Sequence, residues 1–102
     1  MRISITKDVT INKTTKAEGL DLSEEGMYLY TTKTFITGNI IHIKFRLGNE
    51  TLNLTAKVQH SQAGIGIGVN FTDLDRETLK KIKNYISIKS QLLQKDFRGE
   101  KS

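Results

Sequence analysis

Asp21 and Ser23, followed by Gly26 in the run Gly19-Leu20-Asp21-Leu22-Ser23-Glu24-Glu25-Gly26, are the residues of this chain whose types and spacing can do chemistry. A carboxylate accepts hydrogen bonds from a ligand, a hydroxyl donates and accepts, and a glycine tolerates close backbone approach. Set two residues apart on an extended strand, Asp21 and Ser23 leave one face together, while Leu20 and Leu22 leave the other toward a core. Ser23-Glu24-Glu25-Gly26 then has the composition of a tight turn, with a serine able to bond the backbone at its start and a glycine free to take positive φ at its end. The polar pair is therefore expected where a hairpin reverses into a second strand, Met27-Tyr28-Leu29-Tyr30-Thr31-Thr32.

Other chemistries find less support. Ser23 with His42 or His60 and Asp21 supplies the residue types of a hydrolytic triad, but Ser23 lacks the Gly-x-Ser-x-Gly elbow and both histidines fall on polar strand faces. Neither histidine has clustered carboxylates or thiolates at metal-ligand spacing. Gly64, Gly66 and Gly68 alternate within a strand pattern and match neither a dinucleotide fingerprint nor a P-loop, so they are read as structural. No enzyme and no metal centre is expected.

The elements that must position Asp21 and Ser23 follow from periodicity. Ile3/Ile5 and Val9/Ile11 mark a first strand, bulged in its middle, and Asn12 to Thr15 a polar break. After a break at Thr37-Gly38-Asn39, the run from Ile40 to Leu47 sets Ile41, Ile43, Phe45 and Leu47 on one face and His42, Lys44 and Arg46 on the other. Leu47 to Glu50 supplies hairpin turn residues, Leu52, Leu54, Ala56 and Val58 share a face, and a strand from Ile65 to Phe71 follows the turn at Ser61 to Gly64. Such strands predict a small antiparallel barrel. The period then changes: Asp73 or Asp75 caps a helix, Glu77 lies in its first turn, and Leu79, Ile82, Ile86 and Leu93 form one apolar stripe packed on an open end of the barrel. A single domain over residues 1–94 and a flexible polar tail over 95–102 are expected, with Ile88, Leu92 and Leu93 available to extend either the core or a partner-facing surface.

Composition narrows the function classes. The 102 residues allow one domain with one modest core. With no cysteine, disulfides and thiolate chemistry are excluded. Sixteen Lys/Arg against eleven Asp/Glu give a net charge of +5, which favours anionic partners: a nucleotide, nucleic acid or an acidic protein surface. No apolar run is long enough to cross a bilayer, so no membrane insertion is expected, and the alternating start Met1 to Lys7 is unlike a secretory leader, so a cytoplasmic location is expected.

From about Lys16 to about Ile86 the chain resembles the PilZ domain family. Asp21, Ser23 and Gly26 stand at the positions of that family's Asp/Asn-x-Ser-x-x-Gly signature, and hairpin, central hairpin, a closing strand Gly66-Ile67-Gly68-Val69-Asn70-Phe71 and helix follow in the family's order. The resemblance implies an all-β antiparallel barrel of PilZ type with a C-terminal helix, no catalysis, and cyclic di-GMP as ligand in bacterial signalling. In that family an Arg-x-x-x-Arg segment ahead of the first strand grips phosphates and guanines. Arg2 lies at about the distance of the second arginine, whereas the first has no counterpart, since only Met1 precedes Arg2. Lys7, Lys13 and Lys16 bring charge without the planar paired grip. The resemblance therefore implies Arg2, Asp21, Ser23 and Gly26 as ligand-binding residues, with weak binding or a site completed by another chain.

Two other readings stay open. A degenerate module of the same fold would bind a protein partner in motility or pilus assembly and no nucleotide. A small basic barrel binding single-stranded nucleic acid ranks lowest, because Tyr28 and Tyr30 share a face but Lys44 and Arg46 lie on a strand without exposed aromatics.

Overall fold

The apolar alternation becomes six strands and one helix in the computed structural model, which describes the backbone of residues 1–101 and the side chains of residues 1–91. The strands are β1 (Arg2–Ile11), β2 (Thr15–Ser23), β3 (Gly26–Tyr30), β4 (Ile40–Leu47), β5 (Glu50–Gln62) and β6 (Gly66–Thr72), followed by α1 (Arg76–Lys101). All pair antiparallel in the order β1-β2-β3-β6-β5-β4, and β4 returns to β1 to close a barrel. Closure removes the free edges of an open sheet. The expected inward rows Ile41, Ile43, Phe45, Leu47 and Leu52, Leu54, Ala56, Val58 are all buried, while Lys44 and Arg46 face out.

Local chemistry sets the turns. Asn12 and Lys13 both take left-handed φ, 50° and 70°, and Thr14 N–H bonds Ile11 O at 3.2 Å, which makes the β1–β2 connection a type I′ turn matched to strand twist. Asn12 also stitches the barrel shut: its N–H donates to His42 O at 2.8 Å and its Oδ1 accepts His42 N–H at 2.9 Å. The β4–β5 hairpin turns on Gly48, φ 61°, with Leu47 paired to Glu50. The long connection over residues 31–39 is held to β5 where Gly38 N–H donates to Val58 O at 2.8 Å and Val58 N–H to Asn39 O at 2.9 Å.

Two register shifts interrupt β1 and β2. The one between Ser4 and Lys7 is the bulge expected of the first strand. The other, between Gly19 and Asp21, corrects the sequence reading: the extra residue slips the alternation by one, so Gly19 is buried and Leu20, expected to face the core, is exposed. Leu22, past the bulge, points inward as expected.

Of the two candidate caps, Asp75 is the one used, with Thr78 N–H donating to its Oδ1 at 2.7 Å. Asp73 instead takes a left-handed φ of 53° in the connection from β6. Ile82 and Ile86 enter the barrel's own core and Leu79 is partly buried; the fourth residue of the expected stripe, Leu93, and its neighbour Leu92 have side chains outside the described residues. Backbone helix extends to Lys101, through most of the segment expected as a tail, whose side chains, together with Ser102, lie outside the described residues. Lys81 pairs with Glu50 of the β4–β5 hairpin at 2.9 Å, an exposed and screened contact.

Two outcomes follow. Ile82→Asp places an unpaired carboxylate in the core and should lower the melting temperature sharply, whereas Ile88→Asp, at an exposed helix position, should leave it nearly unchanged. Bonds from the Thr78 side chain and backbone hold the Asp75 carboxyl below its ordinary pKa. Its contribution is thus present above the unfolded carboxyl pKa and lost as pH falls through the lower folded value. The difference in melting temperature between wild type and Asp75→Ala should therefore shrink as pH is lowered through the carboxylate range.

Candidate ligand-binding site

The turn between β2 and β3 is built by Ser23. Its Oγ accepts hydrogen bonds from Glu25 N–H and Gly26 N–H, both at 3.2 Å, and the residue is 7% exposed. This is the backbone-bonding role that a serine at a turn entrance supplies. Gly26 is required for a different reason from the one expected: its φ is not positive, but a Cβ there would collide with the Val69 carbonyl oxygen of β6. The bare backbone lets β3 lie directly against β6, with Gly26 opposite Asn70 and Tyr28 opposite Gly68.

Asp21 sits just past the β2 bulge. Its Oδ1 accepts Tyr28 N–H at 2.9 Å and is ion-paired to the Arg2 guanidinium. Arg2 reaches it because β1 and β2 pair antiparallel to their ends, with Arg2 opposite Ser23 and Ser4 opposite Asp21. Both side chains remain partly open, 52% exposed for Arg2 and 28% for Asp21, so the pair is screened and adds little to stability.

Arg2 and Asp21 form one wall of a surface pocket of about 400 Å³ that crosses β3, β6 and β5 and is also lined by Tyr28, Gln59, His60 and Asn70. A second depression of about 490 Å³ continues from Tyr28, Gln59 and His60 toward Thr37 and Gln62. Gly68 lies between Tyr28 on β3 and His60 on β5, its partners in the two ladders. A methyl group there would meet Tyr28 Cδ2 and His60 Cδ2 at 3.6 Å each, an ordinary contact, so nothing steric demands a glycine. Its bareness leaves a slot between the Tyr28 and His60 side chains.

The structure thus brings together two of the four expected site residues, Arg2 and Asp21, in one pocket. Ser23 and Gly26 do not line it; they set the turn that holds β3 in place. Tyr28, Gln59, His60, Gly68 and Asn70 line the same pocket and were not among the expected residues. A signal existed for Gly68, because alternation between inward Ile67 and Val69 makes it an outward strand residue lacking a side chain. Nothing local ties His60 to Asp21, since β5 reaches the site only through β6. Tyr28 and Tyr30 lie away from Lys44 and Arg46, which border a different pocket, so these two tyrosines and these two cations do not form one face for single strands. Among the described residues no group of three acidic, histidine or cysteine side chains is placed to hold a metal, and no helix is long and apolar enough to cross a membrane.

A closed six-stranded antiparallel barrel with one C-terminal helix and a polar pocket on its wall defines a small binding domain. The PilZ domain family model matches residues 1–87, and the chain belongs to that family of noncatalytic binding modules, which is known for cyclic di-GMP receptors. The fold is similar to the crystal structure of the PilZ domain of CeSA from a cellulose-synthesizing bacterium, with a TM-score of 0.69 and 18% identity over 87% of this chain and 98% of that one. It is also similar to an uncharacterized Legionella protein, with a TM-score of 0.57 and 15% identity over 94% and 98% of the two chains. At such identities the likeness carries the fold. Among curated proteins no match is found.

Ser23→Ala removes the acceptor of two turn N–H groups and should cost roughly 1 kcal/mol in denaturant unfolding. Gly26→Ala should cost more than Ser23→Ala, because β3 must move off β6.

Proposed function

We propose that this protein is a bacterial, cytoplasmic signalling module that binds cyclic di-GMP weakly in the pocket bounded by Arg2 and Asp21 and relays the signal to a protein partner. The observation that carries the reading is the meeting of a guanidinium, a carboxylate and a bare slot between Tyr28 and His60 in a single pocket. A guanidinium fork suits phosphate oxygens and guanine acceptors, and a carboxylate accepts from guanine N–H groups. The slot over Gly68 admits a purine face. Binding is weak because one fork, Arg2, must serve the ligand while the Asp21 carboxylate competes for it. A charged hydrogen bond contributes on the order of 1.5–3 kcal/mol, so supplying a second fork is expected to change affinity by one to two orders of magnitude, roughly.

A second reading, an interaction module of the same fold with no nucleotide, draws on the fact that Asp21 already has structural work: its Oδ1 holds Tyr28 N–H and Arg2. Titration calorimetry separates the two. Weak binding of cyclic di-GMP is expected, abolished by Arg2→Ala and by Gly68→Val, which fills the slot at a strand position that tolerates a side chain. An N-terminal extension placing an arginine four residues before Arg2 should strengthen it. Tight binding by the unmodified chain, indifferent to Arg2→Ala and Gly68→Val, would place the phosphates elsewhere. Absence of binding in the extended chain would favour the interaction module.

A further inference from the structure

The barrel is closed unevenly. β1 pairs with β2 along nearly its whole length and β4 with β5 through eight residue pairs, but β1 and β4 join only at Thr10–Lys44 and Ile11–Ile43. Continued antiparallel, the next pair to exchange backbone bonds across this seam, beyond Val9 and Phe45, would be Asp8 and Arg46; neither pair is made. The direction of the unpaired backbone follows from the hairpin. Leu47 and Glu50 close a two-residue loop, so Leu47, Phe45 and Ile43 exchange their backbone bonds with β5, and His42, Lys44 and Arg46 turn theirs toward β1. The Asn12–His42 bonds confirm that parity. Arg46 N–H and C=O therefore face the seam with no ladder partner, like the groups of a free sheet edge.

The same seam is strongly basic. A pocket of about 540 Å³ lies there, lined by Lys7, Lys13, Lys44 and Arg46, with Asp8 the one carboxylate among its lining residues. None of these cations is ion-paired among the described residues, where the two pairs formed are Arg2–Asp21 and Lys81–Glu50. Four positive charges against one leave a local excess of three. Phe45, the pocket's one aromatic, is 2% exposed and turned into the core, so no ring is offered for base stacking. Open backbone groups, short threonine side chains and excess cations suit an extended peptide rather than a nucleic acid.

We propose that the β1/β4 seam is the docking site for an extended acidic segment of a partner protein, which adds as a strand along Arg46 and sets carboxylates against Lys7, Lys44 and Arg46. This surface is separate from the Arg2/Asp21 pocket, and the proposal does not depend on nucleotide binding.

The probe is a synthetic, end-blocked peptide of alternating glutamate and threonine, titrated against the full chain by fluorescence anisotropy. Saturable binding is expected, weakened about tenfold or more by Arg46→Glu and by Lys44→Glu, and unchanged by Arg2→Ala. Arg46→Gln, which removes charge without reversing it, should give an intermediate loss, and unaltered melting temperatures establish that these exposed changes leave the fold intact. A peptide of the same charge, N-methylated at alternate residues, should also lose about tenfold or more, because strand pairing needs its N–H groups. Equal binding by the N-methylated peptide, equal binding by a single-stranded oligonucleotide of matched charge, or no binding of the plain peptide would each overturn the proposal.

Discussion

The contact on which the site depends is the one between two backbones at Gly26 and Val69. Because position 26 carries no Cβ, β3 lies flush on β6 from its first residue, and the turn that delivers it there is held by the buried Ser23 hydroxyl. That contact sets the register in which Tyr28 falls opposite Gly68. It also brings Tyr28 N–H to the Asp21 carboxylate across the β2 bulge. Move β3 outward by the width of a methyl group and the aromatic slot, the Asp21 acceptor geometry and the turn itself all change together. In the Asp-x-Ser-x-x-Gly pattern, Ser23 and Gly26 therefore hold the scaffold, while Asp21 opens onto the pocket.

The barrel's surface chemistry is divided between two ends of β1. At its start, Arg2 reaches across to Asp21 and borders a pocket with aromatic walls. Past its bulge, Lys7 and Lys13 join Lys44 and Arg46 over a seam whose backbone is only partly paired. The bulge between Ser4 and Lys7 accounts for part of this division, since it bends the strand and shifts its register against β2. Lys7 also lies over the Tyr85 ring of α1, 5.2 Å from its centre, so the helix borders the basic side of β1.

Much of the fold could be read from residue types in order. Inward alternation in β4 and β5, the break at Asn12 to Thr14, glycine at 48 and the 3.6-residue stripe through Ile82 and Ile86 are local signals, and each states which face is buried. The misreadings were local too. A one-residue bulge at Leu20 leaves no compositional mark, since a leucine that faces solvent and one that faces the core are the same letter. Likewise a glycine at a turn suggests positive φ, and only the approach of a distant strand reveals that Gly26 answers a steric demand instead.

By itself the sequence determined the class of fold and, apart from the slip at Leu20, which face of each strand is buried, because these depend on period and side-chain chemistry alone. Only the tertiary structure decided which residues share a site. Strands meet in the order β1-β2-β3-β6-β5-β4, so Tyr28, Gly68 and His60 become neighbours across three strands far apart in the chain, while Ser23, two residues from Asp21, is buried beneath the turn it bonds and does not line the pocket. Proximity across a ladder is set by pairing order and register, which depend on the closure of the whole barrel and are written in no single stretch of residues.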